Sequence, residues 1–144
     1  MEIHINYLAV LVSAVVYFAL GWLWYSPLMF GKVWMELMGI KMPSEAERKK
    51  MMAKMWKSMA IAFVTCLITA MTMAHMVQSG SAFYKVTGLE AGLRAGFWIW
   101  LGFIVTSQIN SVLWERRPFK LYLINIGHYL VGYLVLGSIL ALWP

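Results

Sequence analysis

The sequence predicts an all-α fold: an integral membrane bundle of four transmembrane helices, with an interfacial amphipathic helix between spans one and two. Three observations predict it. The chain of 144 residues is 62% hydrophobic and only 12% charged, too little polar surface for a soluble domain of this length. Four apolar stretches each approach the ~20 residues that cross a hydrocarbon core. Cations gather between stretches one and two and between three and four, as in a chain oriented by its loops. Residues 1–144 therefore read as a single transmembrane domain. Its spans lie at about 5–24, 58–77, 91–113 and 121–143, and an amphipathic segment occupies 28–57.

Span one carries Asn6, Ser13, Tyr17, Gly21 and Trp24 at spacings of seven, four, four and three, which is one helical stripe. Lipid offers Asn and Tyr no hydrogen-bond partner, so this stripe is expected to face other helices and to leave Leu11, Val15 and Phe18 to lipid. Pro27 lacks a backbone donor and disfavours the α region at Ser26, so the helix ends or bends there. Trp22, Trp24, Tyr25 and Trp34 cluster where their amphipathic rings favour a membrane surface. Residues 28–40 mix Phe30, Trp34, Leu37 and Met38 with Lys32 and Glu36, which predicts a short interfacial helix capped by Gly39. Ser44 with Glu47 three residues on is a capping box. The helix it opens has Lys50, Lys54 and Lys57 on one face and Met52, Met55 and Met59 on another. That basic face reads as a solvated lead into span two, or as a site for acidic lipid or a partner protein.

In span two, Thr65, Thr69 and Thr72 share a face, and His75 and Gln78 close its far end. Residues 79–90 read as a loop. In span three, Gly92 and Gly96 would let another helix approach closely, and Ser107, Asn110, Ser111 and Trp114 share a face at the other end. Residues 115–120 form a tight turn around Pro118, whose charges read as solvated or bound to lipid head groups, the alternative being a Glu115–Arg116 or Glu115–Lys32 pair that holds the two loops together. Span four places Asn125, His128, Tyr129 and Tyr133 on one side.

Lys32, Lys41, Arg48, Lys49, Lys50, Lys54 and Lys57 lie in or beside the first loop, and Arg116, Arg117 and Lys120 in the third. Only Lys85 and Arg94 oppose them, ten cations against two. The two cationic loops are thus expected in the cytoplasm and both termini outside. Lys32, Lys50, Lys54, Lys57, Arg116, Arg117 and Lys120 are set to meet anionic head groups. The net charge of +6 sits beside the spans, which favours membrane lipids over nucleic acid as partners. Two-sided helices with small-residue faces favour a homo-oligomer. The N-terminus offers Glu2 and His4 rather than lysines, so no cleavable signal peptide is expected. Cys66 is the single cysteine, so no intrachain disulfide forms.

All six acids are glutamates at ends or in loops: Glu2, Glu36, Glu45, Glu47, Glu90 and Glu115. Proton-coupled transporters commonly hold an acid or a histidine within their spans, and here only histidine can serve. His128 lies eight residues beyond Lys120, about 12 Å deep at 1.5 Å per residue. Trp24, Tyr25, Ser26, Asn110, Asn125, His128 and Tyr129 are the candidate ligand or transport site, because the helix ends bring them to one depth. The same side chains hydrogen-bond helices together in lipid, so the cluster reads either as a pocket or as interhelical fastening. Met71, Met73, His75 and Met76 are ligand types suited to Cu(I), but they split between two helix faces, and no metal site is expected. Without a glycine-rich phosphate loop, zinc spacing or nucleophile elbow, no cofactor is implied. Without a nucleophile–base pair, no enzymatic activity is expected.

Two motifs carry a family resemblance. Trp24–Tyr25–Ser26–Pro27 with Phe30, Gly31, Lys32 and Trp34 is the first. Leu113 and Trp114, the Arg117–Pro118 turn and the segment from Asn125 to Tyr129 are the second. Together they resemble the bacterial membrane proteins grouped as domain of unknown function 1761, over nearly the whole chain. One departure is Arg116, where the family commonly has a glycine before the turn arginine. The resemblance implies a four-span protein of a bacterial inner membrane and no mechanism. The functional expectation is binding or transport of a small molecule or ion through the polar cluster near the cytoplasmic side. The alternative is a non-transporting structural or lipid-interacting protein.

Overall fold

The computed structural model describes residues 4–143, so Glu2 lies outside the described residues. Helix α1 spans Tyr7–Trp24. Asn6 starts it: its side-chain oxygen accepts the N–H groups of Leu8 and Ala9, both at 3.1 Å. These are helix-end donors that the helix itself leaves unpaired. Asn6 therefore serves as the N-cap of α1, half-buried at the start of the stripe it shares with Ser13 and Tyr17. The rest of that stripe turns inward, with Ser13 and Tyr17 buried and Trp24 half-buried. Leu11 and Val15 are exposed as expected, whereas Phe18 packs edge-on against Phe63, ring centroids 5.7 Å apart.

The chain turns sharply after α1. Phe30 N–H donates to the Trp24 carbonyl at 3.0 Å, and Gly31 N–H donates to the Ser26 carbonyl at 2.9 Å. Gly31 is buried so closely on this turn that a Cβ there would collide with the backbone of Tyr25 and Ser26. A short helix α2, Gly31–Leu37, follows. Gly39, at φ +69°, ends it: Gly39 N–H donates to Glu36 and Ile40 N–H to Met35, the paired bonds of a Schellman cap.

Helix α3 runs unbroken over Glu45–Tyr84, 40 residues or about 60 Å. The Ser44–Glu47 capping box is formed in both directions. The Ser44 N–H and hydroxyl hold the Glu47 carboxyl below its ordinary range. The expected loop at 79–90 shrinks to three residues. Gly80 does not stop the helix, and the turn is made by Lys85 at φ +55° and Gly88 at φ +63°.

Helix α4, Gly88–Ile99, passes into a π-helical stretch at Trp100–Val105, then into α5 (Thr106–Gln108) and α6 (Asn110–Leu113). The sequence reading made this one regular helix. The wider π turn leaves carbonyls for other donors, and Tyr122 O–H takes the one at Val105, 3.1 Å away. Each extra residue held in such a turn rotates everything after it by about 100° around the helix axis. Helix α7 spans Phe119–Leu142.

Helix α7 is central, packing on α1, α3 and α4, while α1 and α4 lie on either side of it. Gly92 and Gly96 meet it where the sequence predicts. A Cβ at Gly92 would strike the Gly137 carbonyl, and one at Gly96 the Tyr133 carbonyl. The core joins Ala9, Val10 and Ala14 of α1, Ala70, Met73 and Val77 of α3, and Tyr133, Leu136 and Leu140 of α7. Four helical segments, Tyr7–Trp24, Glu45–Tyr84, Gly88–Leu113 and Phe119–Leu142, are long and apolar enough to cross a membrane. Much of their outer surface is bare hydrocarbon, as at Ile61, Ile68 and Phe103.

Candidate functional site

The end of α1 and the first half of α7 build an aromatic box around His128. Tyr17 stacks on the imidazole at 5.5 Å between centroids and 14° between planes. Tyr25, Tyr129 and Trp24 stand around it at 5.3, 5.4 and 6.1 Å. Glycines let the helices come this close. A Cβ built on Gly21 would lie 3.3 Å from His128 Nε2, one on Gly132 would run into the Tyr17 ring, and one on Gly127 would lie 3.2 Å from the Trp24 indole. His128 Nε2 is buried with no hydrogen-bond partner among the described residues. A ring nitrogen left this way forfeits the solvation it had in water.

Hydrogen bonds fasten the box. Trp24 Nε1–H donates to the Ile124 carbonyl at 3.1 Å, and Tyr25 O–H to Asn125 Oδ1 at 3.0 Å. Trp100 Nε1–H, from the π-helical stretch, donates to the Ile126 carbonyl at 2.8 Å. Phe30 and Trp34 close the outer side against Trp24 and Tyr25, at 4.7 and 5.7 Å. The turn forced by Pro27 and Gly31 is what carries these two rings back onto the end of α1.

The box forms one wall of a groove of about 900 Å³ between α1, α3 and α7. Its opposite wall is α3, which contributes Met51, Met52, Met55 and Met59, then Thr65, Cys66 and Thr69. The Thr65 and Thr69 hydroxyls donate back to the carbonyls of Ala62 and Thr65, at 2.7 and 2.9 Å. Among the described residues of the lining, Arg48, at one end, is the sole charged side chain. No ion pair to Arg48 occurs among the described residues.

Of the residues expected at the site, Trp24, Tyr25, Asn125, His128 and Tyr129 are brought together. Ser26 lines the groove, with its hydroxyl donating to Leu23 at 2.7 Å. Asn110 does not join them: it is exposed on α6 and outside the groove lining. Ser107 and Ser111 likewise spend their hydroxyls on their own helix. The phase shift through the π turn accounts for this displaced face. The lysines and arginines expected at head groups, Lys32, Lys50, Lys54, Lys57, Arg116, Arg117 and Lys120, are all exposed. Glu115 pairs with Arg117 at 3.8 Å, not with Arg116 or Lys32. Sequence reasoning missed Tyr17, Gly21 and Tyr133 as site residues. The signal was present, since Tyr17, Gly21 and Trp24 share one stripe. Nothing in the pattern marked Arg48 apart from its neighbouring cations.

A family model described as "Protein of unknown function (DUF1761)" matches residues 8–141. No curated protein and no solved structure matches the chain. The chain belongs to the DUF1761 family.

Proposed function

We propose that this DUF1761 member is a multi-pass protein of a bacterial inner membrane that binds a small, largely apolar molecule in the His128 groove and carries it within or across the bilayer. The observation that carries this reading is the aromatic box closing on His128 at the wall of a 900 Å³ groove. Binding sites for small molecules are concave, mostly apolar, and hold a few placed polar groups. An intramembrane histidine is a functional candidate on physical grounds. An inorganic cation fits less well, because no carboxylate lines the groove among the described residues. A catalytic role is not part of the proposal: no hydrogen bond joins Cys66 to His128 among the described residues, and nothing there activates a nucleophile.

In this reading the Arg48–Lys57 and Arg116–Lys120 ends face the cytoplasm, and both termini face out. The exposed cations there rest on anionic head groups, and the bare faces of α3 and α4 contact lipid or a second copy.

A second reading has its own support. Trp24, Tyr25 and Trp100 all spend their donors on α7, which is what fastening alone requires. Thermal unfolding of purified protein against a panel of apolar and aromatic solutes separates the two readings. The binding reading expects solutes that raise the midpoint of the wild type and lose that effect in His128→Ala. Its transport component expects uptake of the same solute by vesicles holding the wild type. If His128→Ala only lowers the midpoint by the same amount with and without every solute, the box is fastening and the binding reading fails.

A further inference from the structure

The groove has a polarity that the binding reading leaves unused. The residues that α3 presents to it, from Arg48 through Met52, Met55, Met59 and Ala62 to Thr69, follow one helical stripe. Arg48 and Thr69 are 21 residues apart, about 32 Å along the helix. One end holds a guanidinium with no acid paired to it among the described residues. The other end, around Thr69, Ile104 and Tyr133, is uncharged. Between them stand methionines, whose unbranched thioethers adapt to chains of varied shape.

We propose, resting on the groove being a binding site, that its ligand is a single-chain long-chain carboxylate, with its head on Arg48 and its hydrocarbon chain laid along the methionines towards His128 and Thr69. A single guanidinium matches a monoanionic carboxylate, which it receives with two parallel N–H···O bonds. A doubly charged phosphate monoester would call for a second cation, and the lining has none. A charge at one end of a mostly apolar lining suits an extended amphiphile better than a compact polar solute. Such a ligand also explains why the groove lies open beside α3, where Met51, Met52 and Trp22 remain exposed: a chain can enter sideways from the surrounding apolar phase.

The test uses full-length protein in zwitterionic phospholipid nanodiscs and an octadecanoic acid carrying a photoactivatable diazirine on its chain. Adducts are mapped by peptide mass spectrometry. They are expected within residues 48–69. They are expected to fall about tenfold in Arg48→Gln and in Ala62→Trp, which fills the middle of the groove from an exposed helix position. Lys54→Gln, a neighbouring cation outside the lining, is expected to leave them unchanged. An octadecanol of the same length is expected to compete at least tenfold more weakly than octadecanoate. Equal competition by the alcohol, with no effect of Arg48→Gln, overturns the carboxylate assignment while leaving the groove as a binding site. Adducts spread over the outer faces of α3 and α4, unchanged by Ala62→Trp, overturn the binding site as well. Loss of labelling as protein concentration rises places a second copy in the groove, and that too overturns the proposal.

Discussion

At the scale of single residues, Arg116 and Ser13 each carry a prediction. Arg116 adopts φ +55°, a left-handed conformation that costs an ordinary residue roughly 1–2 kcal/mol and glycine almost nothing. Arg116→Gly is expected to raise stability by about 0.5–1 kcal/mol, the relief of strain being partly offset by the looser unfolded chain. The thermal midpoint in detergent reads this out, and a fall on substitution would show that the Arg116 side chain stabilises the turn by some other contact. Ser13 is the other case. Its hydroxyl is fully buried without a partner among the described residues, and an unpaired buried hydroxyl costs about 1–3 kcal/mol. Ser13→Ala keeps the small volume and removes the orphan, so it is expected to be neutral or stabilising by up to about 1 kcal/mol. A loss of more than about 1 kcal/mol would show that the hydroxyl has a partner in the working protein.

At the scale of elements, the decisive contact is between α4 and α7. Gly92 and Gly137 bring the two backbones together, and Gly96 repeats the contact one turn on. Gly102, in the π-helical stretch of the same segment, faces open space. The two glycines therefore predict opposite outcomes. Gly92→Leu is expected to force the helices apart and to lose at least ~1–3 kcal/mol through overpacking. Gly102→Ala is expected to cost nothing or to gain a few tenths of a kcal/mol from helix propensity. Unfolding of both variants in one detergent, compared with the wild type, checks this; equal losses would mean that glycine acts through the backbone conformation and not through packing. The same segment marks where sequence reading stopped. Gly92 and Gly96 are legible because a spacing of four on a regular helix fixes a face. Asn110 is not, because a π turn lies between them, and the bond that Tyr122 makes there to Val105 from α7 spans seventeen residues, which no local pattern encodes. The turn at 25–31 was legible through Pro27, and the start of α3 through Ser44 and Glu47. The continuation of α3 through Gly80 was not, since packing of Ala74 and Val77 beneath it outweighs the propensity of one glycine. Half of the candidate site followed from stripes on α1 and α7. The wall supplied by α3 depends on how two distant helices pack, and its methionines look like ordinary filler in a linear sequence.

At the scale of the whole molecule, α3 offers a direct measure of both insertion and orientation. Lys54 lies in the N-terminal part of α3 and Lys85 caps its far end, 31 residues and about 46 Å apart, more than the ~30 Å of a hydrocarbon core. Both are exposed. If the helix crosses a bilayer, the two positions must lie in different aqueous compartments, whatever the tilt within ordinary limits. The cation asymmetry assigns Lys54 to the cytoplasmic side. Replacing Cys66 by alanine and introducing Lys54→Cys or Lys85→Cys separately gives one reactive thiol each. A membrane-impermeant maleimide added to intact spheroplasts is expected to label the cysteine at 85 and spare that at 54. Inverted vesicles are expected to give the reverse. Reversed labelling would place the His128 groove and Arg48 on the outer side, so that a ligand would enter from outside the cell. Labelling of both thiols from one side would mean that α3 does not cross at all, and the four-span reading would fall with it.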